Sequence, residues 1–513
     1  MTATTQNVVI AGGGTAGWLV AGVLAADHGR HVRITVVESP DVPSIGVGEG
    51  TWPTLRDTLR RIGISEATLF RDCDAAFKQG SRFDRWRNGS ASDRFYHPFS
   101  LPHGYHEADL AGAWLAAATT TPFAESVTAQ AHLCAHGRAP KQAATPEFAA
   151  VANYAYHLDA IKLGRMLREH CTQRLGVRHV SDHITAVEAS DNGDIGALLL
   201  REHGRLAGDL FVDCTGQRAL LLSGHYGVRF VARHDVLFND RALALQVPYA
   251  DERTEIASQT ISTAQSNGWI WDIGLPTRRG IGHVYSSAHT SDDEAERELV
   301  GYVASSGGPM GVSGARQLRF EPGYREAFWH RNCVAIGQAA GFIEPLEASA
   351  IVMVELSAAW LSEDWPSGRS DMDIVARRFN EAFTYRWERV IEFLKLHYVL
   401  SARRDTSYWR DHTQAGSTTA RLVELLRLWR HRRPSQRDFS RAEEIFPSAS
   451  WQYILYGMGF QFDNDTGSRR DDSFAIAQSL FEENRQLTRK LLAGLPGNRA
   501  LIDHIRERGL PTI

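Results

Sequence analysis

The chain has 513 residues, 43% of them hydrophobic, which suits one large or two intimate domains and is too much for one simple core. A formal net charge of −4 gives no basic footprint for nucleic acid or an anionic membrane surface. The five cysteines, Cys73, Cys134, Cys171, Cys214 and Cys333, are odd in number and lack paired spacing, unlike a disulfide framework or a zinc site. No apolar run approaches the roughly 18 residues of a spanning helix, and no basic, apolar leader precedes the first strand. The expectation is a soluble, cytoplasmic protein with no metal, no nucleic-acid partner and no membrane.

Residues Asn7 to Ala11 read as a buried parallel strand that runs into Gly12-Gly13-Gly14-Thr15-Ala16-Gly17. Gly12 allows the tight turn, Gly14 lets backbone approach a pyrophosphate, and Gly17 lets the following helix, through Ala21, pack on the sheet. Thr15 and Ala16 open that helix, whose N-terminus faces phosphates with its positive end. A second strand, Val32 to Val37, ends in Glu38, about 20 residues on, where an acid can accept hydrogen bonds from a ribose. NAD and FAD share this fingerprint, so later segments must decide between them.

Gly46-Val47-Gly48-Glu49-Gly50-Thr51 follows, and then Phe77-Lys78-Gln79-Gly80 places a lysine beside a large apolar residue. By itself Lys78 reads as a solvated cation with its stem along the surface. Phe95-Tyr96-His97-Pro98-Phe99 reads as a turn with a histidine. Tyr156-His157-Leu158-Asp159-Ala160 reads as the start of an amphipathic structural helix. Leu210-Phe211-Val212-Asp213-Cys214-Thr215-Gly216 is similar to the strand and Ala-Thr-Gly turn of FAD enzymes. In Gly268-Trp269-Ile270-Trp271-Asp272-Ile273-Gly274 the two tryptophans point to one face of a strand, as a core plug or a wall for a flat partner. Cys333 to Gly337, then Ala339-Ala340-Gly341, reads as a strand delivering a small-residue loop. Related monooxygenases carry aspartate after that glycine; here it is Gln338, which supplies no negative charge. Glu344-Pro345-Leu346-Glu347-Ala348-Ser349-Ala350 leads into a helix start, where an anion is favoured.

Beyond Trp365-Pro366 the pattern becomes helical, with Trp387, Val390, Ile391, Leu394 and Tyr398 on one core-facing stripe. Arg427 to Arg433 reads as a solvated helix end. Asp463 to Ser468 reads as a polar, turn-rich loop. The division expected is an FAD-binding α/β module with substrate-face insertions over 1–365 and a helical region over 366–513.

Together these segments resemble the flavin-dependent halogenases of the tryptophan-halogenase type, in order over residues 7 to 460. The tryptophan pair resembles their Trp-x-Trp-x-Ile-Pro signature, with Gly274 in place of proline. The resemblance implies a Rossmann-like module of the flavin monooxygenase type that uses reduced FAD, oxygen and chloride or bromide. It implies that Lys78, some 30 residues beyond the Gly-Val-Gly-Glu-x-Thr segment, is the catalytic lysine. Burial in a dry passage would lower its pKa toward a nucleophilic amine. Glu347 is implied as the catalytic carboxylate. The amides of Ser349 and Ala350 match the halide positions, although Ala350 stands where the family has glycine and leaves the halide preference open. FAD would lie against Gly12, Gly14, Thr15, Ala16, Gly17, Glu38, Gly48, Gly337 and Ala340. Trp269, Trp271 and Ile273 would separate flavin from substrate, while His97, Phe99 and Trp451 would hold the aromatic ring. Hypohalous acid would pass to Lys78 and halogenate an electron-rich aromatic, indole or an indole derivative including tryptophan. The segment 450–459 has no adjacent tyrosine pair to grip an amino acid, which favours indole over free tryptophan. The expected partners are a small aromatic substrate and an NAD(P)H-dependent flavin reductase, with a homodimer left open. An aromatic monooxygenase and a non-catalytic flavin-binding protein are the alternatives, which halide dependence and turnover would separate.

Overall fold

The computed structural model describes residues 6–41, 48–117, 119–441, 443–462 and 471–512. Gly46, Val47 and the stretch Asp463 to Ser468 lie outside the described residues. The chain forms two compact units, each assembled from three stretches. The first comprises Met1–Asp74, Leu158–Arg233 and Phe320–Trp387. The second comprises Ala75–His157, His234–Arg319 and Glu388–Ile513. The boundary expected after residue 365 falls inside the last stretch of the first unit.

The first unit is built on a six-stranded sheet in the order Trp329–His330, Cys333–Ala335, Leu210–Asp213, Asn7–Ala11, Arg33–Glu38, Arg178–Ser181. All neighbours but the first pair run parallel. Val8, Val9, Ile10, Phe211 and Val212 are fully buried, as continuous apolar runs covered on both faces must be. Helix α1 (Thr15–His28) is buried almost continuously from Gly17 to Ala25, because other helices cover its outer side. Helix α2 (Leu55–Ile62) buries Leu55, Leu59 and Ile62 at helical spacing and stops at Gly63, whose φ of 78° only glycine takes easily.

One expectation fails here. Ala155–Asp159 is a strand, and helix α3 (Ala160–Gln173) begins only after it. Asp159 is the N-cap, its carboxylate accepting from the amides of Ile161 at 3.0 Å and Lys162 at 3.1 Å. Read correctly, the acid marks the boundary rather than the first turn. Helix α4 (Ser349–Glu363) then packs against α1.

The second unit centres on a seven-stranded sheet: Arg316–Arg319, Arg241–Pro248, Arg278–Tyr285, Gly268–Gly274, Thr260–Ala264, Gly80–Asp84, Arg94–Pro98. Helices cover it, among them Asp292–Ser305, Ser448–Gly457 and the C-terminal part of α5 (Arg369–Val399). The expected stripe on α5 is buried, and Phe393, Lys395, Leu396 and His397 are buried with it. A helix buried all round lies in a core rather than on a surface.

Candidate active site

Three parallel strands deliver three loops to one edge of the first unit's sheet. The amide of Cys214 donates to Ala11 O at 2.8 Å and that of Ile336 to Asp213 O at 3.0 Å, so the strands end level. Ligands of open α/β sheets bind at such carboxyl ends. Gly12 has φ 111°, and a Cβ there would collide with the Cys214 carbonyl. A Cβ on Gly17 would strike Gly12 O, and one on Gly13 the Glu38 side chain. Gly14, by contrast, has open space where a Cβ would stand. It caps α1 without any side-chain cap, leaving the first amides of a 14-residue helix for an anion. Gly337 has φ 71° and abuts Ala16, which places the Gly337–Ala340 loop beside that helix start. These residues fit the pyrophosphate and ribityl portion of a flavin dinucleotide. Glu38 ends its strand with its carboxylate 2.9 Å from His179 Nε2, so one of its oxygens already has a neighbour. Gly48 is buried at the start of the short strand Gly48–Gly50.

Two residues that sequence reading passed over lock this edge. The fully buried Asp213 accepts from Thr215 N and Oγ1 through one oxygen and from Leu221 and Leu222 amides through the other, all at 2.6–3.0 Å. Arg325 donates from its backbone to Ala340 O at 2.8 Å and from its guanidinium to Gln217 O at 2.8 Å, tying two of the loops together. The strand-end acid before Cys214-Thr215-Gly216 was the available signal for the first. Nothing local marks the second.

In the same unit, Pro345 to Ala350 forms a strained turn into α4. Glu347 (φ 65°) and Ala348 (φ 55°) are consecutive non-glycine residues in the left-handed region, a cost of about 1–3 kcal/mol each. The Trp52 indole donates to Glu347 O at 2.7 Å. Glu347 is only 7% exposed, while Ser349 and Ala350 occupy the first two positions of α4 with no side-chain cap ahead of them.

In the second unit, Lys78 is only 1% exposed, against its bland reading as a solvated cation. Its strand Ala76–Lys78 pairs antiparallel with Ala155–His157, Lys78 opposite Ala155 and Ala76 opposite His157. Alternation therefore puts Lys78 and His157 on one face, with Phe77 and Tyr156 on the other. His157 is fully buried, its Nε2 2.9 Å from Thr260 Oγ1. Burial, then the Lys78 charge, hold its pKa well below the usual histidine value. It sits beside the lysine as a neutral ring. The Lys78 ammonium lies 5.3 Å from the Phe99 ring centre. Gly80, at φ 148°, lets the chain turn from this strand into Gly80–Asp84, since a Cβ would strike His97 O.

His97 is 5% exposed and has Phe393 at 5.7 Å and Tyr453 at 6.0 Å between ring centres, two neighbours that sequence reading did not nominate. Trp269 and Trp271 do share a face, 6.4 Å apart, and are nearly buried along with Ile273. Gly282 lies opposite Trp271 and leaves room for its indole. Trp451 is different from expectation. It is fully buried against Phe393, Trp429 and Phe439, with its indole donating to Phe446 O at 3.2 Å. Three rings and a backbone carbonyl therefore already engage this indole in the core.

A glycine-lined dinucleotide cradle, a strained glutamate turn at a helix start and a buried lysine define a flavin-dependent oxidoreductase. Residues 7–467 match the family model described as tryptophan halogenase, and the chain belongs to that family. A crystal structure of a tryptophan halogenase from Shewanella frigidimarina NCIMB 400 is similar with a TM-score of 0.95, 48% identity and 99% of both chains covered. A flavin-dependent halogenase from Brevundimonas sp. BAL3 has a TM-score of 0.86 at 32% identity, over 98% of this chain and 99% of that one. The tryptophan 6-halogenase of Streptomyces toxytricini is 35% identical over 89% of this chain and 90% of its own length. The protein is thus an enzyme, a flavin-dependent halogenase of the tryptophan halogenase family, and enzymes of that kind use reduced FAD, oxygen and halide. The monooxygenase and non-catalytic readings are not favoured. Among the described residues no helix is long and apolar enough to cross a membrane.

Proposed function

We propose that Lys78 and Glu347 are the catalytic residues of this halogenase, and that it acts on free indole or a simple indole derivative in preference to free tryptophan. The observation that carries the reading is Lys78 itself, a buried lysine aimed at an aromatic ring beside a neutral imidazole. Lys395 is also buried over a ring, Phe238, beside a neutral His412, and what sets Lys78 apart is its place in the family pattern, some 30 residues beyond the Gly-Val-Gly-Glu-x-Thr segment. FAD would be held by Gly12, Gly14, Thr15, Ala16, Gly17, Glu38, Gly48, Gly337 and Ala340, and in its reduced form would activate oxygen, the oxidant that turns halide into hypohalous acid. The first amides of α4, at Ser349 and Ala350, hold the halide by the positive end of the helix. Lys78 presents the electrophilic halogen to the ring, and Glu347 polarises it and takes the ring proton. His97 and Phe99 are the ring's walls, joined by Phe393 and Tyr453, with Trp451 supporting them from behind. The barrier role of Trp269, Trp271 and Ile273 is kept, supported by their burial along one strand. The reaction belongs in the cytoplasm, where NAD(P)H-driven flavin reductases work.

The substrate preference follows from what surrounds His97. Phe393 and Tyr453 pack against it, and the Tyr453 hydroxyl donates to Ser100 O at 2.9 Å. Aromatic contacts contribute about 0.5–1.5 kcal/mol each beyond burial, enough to hold an indole loosely. Indole should therefore be halogenated faster than tryptophan, at the electron-rich carbon of the pyrrole ring. Mass spectrometry and NMR of products made with chloride and bromide in parallel read this directly. Clean substitution on the benzene ring of free tryptophan would defeat it.

A second expected result concerns flavin supply. One dinucleotide fingerprint is present and is assigned to FAD, so NADPH and FAD alone should give no product, and an unrelated flavin reductase should restore it. Rapid NADPH oxidation by the purified protein alone would contradict the assignment.

A further inference from the structure

Inside the first unit, α2 is fastened to the Glu347 turn at two places. Ahead of α2, the Trp52 indole donates to Glu347 O at 2.7 Å. On α2, the Thr58 hydroxyl donates to Glu355 Oε1 at 2.6 Å, and Thr54 to Glu355 Oε2 at 3.3 Å. Glu355 lies on α4 and is 4% exposed, an acid within the apolar run Ile351-Val352-Met353-Val354. Thr54 and Thr58, four residues apart, share one helix face, so their hydroxyls reach the same carboxyl. Nothing in the proposed chemistry uses Glu355, and a buried acid is costly to keep without a purpose.

We propose that Glu355 is a positioning residue which, with Trp52, Thr54 and Thr58, clamps α2 to α4 and sets the strained Glu347–Ala348 turn and the α4 amides for halide. This rests on the proposed role of Ser349 and Ala350. Two adjacent left-handed residues persist only where the surroundings over-determine them. The indole bond fixes the carbonyl of the strained residue, and the threonine bonds fix the helix that follows it.

The clamp also carries a charge switch. Burial pushes the Glu355 carboxyl up to about 8, against the threonine hydrogen bonds that pull it down, with Asp57 of α2 raising it further. Other charged groups on the packed elements are Arg56 of α2, which donates to Pro53 O, Arg60 of α2, paired with Asp57, Arg61 of α2, paired with Asp27 of α1, and Glu363 of α4, also beside Arg61, while His28 of α1 meets Ser362. At neutral pH the carboxyl keeps its proton and the helix carries no charge there. As pH rises through the folded value it ionises, six residues or about 9 Å along the helix from Ser349. Like charge then opposes the halide, and by linkage bound halide holds the proton on.

Bromide binding to the FAD-loaded protein, followed by NMR line broadening, tests this apart from any product assay. Wild-type dissociation constants should rise on the order of tenfold from about pH 7 to about pH 9.5. Glu355→Gln keeps an acceptor for Thr58 and removes only the ionisation, so its constants should stay flat over that range. Trp52→Phe should weaken bromide several-fold at every pH, with its pH dependence intact. A merely structural tie would lower thermal stability and leave the pH dependence in place. Glu355→Gln following the wild-type rise, or Trp52→Phe binding bromide as wild type does, would overturn the clamp.

Discussion

Replacing Lys78 by methionine should abolish halogenation, on the order of 10³-fold or more, while FAD affinity stays within about twofold. The side chain is 1% exposed and is not among the residues proposed to hold FAD. Methionine keeps most of the volume without the amine, so loss of packing cannot imitate loss of chemistry. Product by mass spectrometry and FAD binding by fluorescence quenching measure the two arms. Halogenation retained above a few per cent would remove Lys78 from the mechanism. His157 offers an internal check: the lysine charge helps hold its pKa down, so its titration should move upward in the variant.

The dinucleotide cradle was legible because glycine is demanded by backbone, and backbone demands leave a spacing. Gly12 and Gly17 each meet a steric condition while Gly14 leaves open space where a Cβ would stand, and two further strands end in small-residue turns beside them. Gly13, packed under Glu38, met such a condition unnoticed. The burial of Lys78 could not be read from composition, since a lysine after a phenylalanine is ordinarily solvated. It depends on a partner strand some 77 positions away, whose register no local pattern reveals. That strand reads as helix because it runs directly into the helix capped by Asp159, although Tyr154, Tyr156 and Leu158 alternate ahead of the cap as a strand does. Trp451 shows the opposite error. An aromatic run at helical spacing serves a cavity wall and a helix core equally well, and only the neighbouring rings decide. Glu355 did carry a signal, one acid in an apolar helix, whose meaning required the threonines 297 and 301 positions away.

Glu347→Gln should lower the halogenation rate on the order of 10²-fold or more, with indole and bromide still bound. The side chain keeps its length and loses only the charge and the capacity to take a proton. Glutamate stands at φ 65°, where glycine would be unstrained, and it is followed by Ala348 at φ 55°. Retaining a carboxylate at that position costs folding stability, so the strain points to a requirement for this particular side chain. The Trp52 bond to the backbone carbonyl of residue 347 does not involve the substituted side chain, so the turn should survive in the variant. Two readouts then separate position from chemistry. If Glu347 takes the ring proton or polarises the halogen, kcat falls and the indole KM holds. If it only shapes the turn, the glutamine variant, which shapes the turn equally well, keeps both its bromide binding and its kcat. Wild-type kcat in Glu347→Gln would leave the strained turn as a halide seat alone and return the general-base role to an unassigned group.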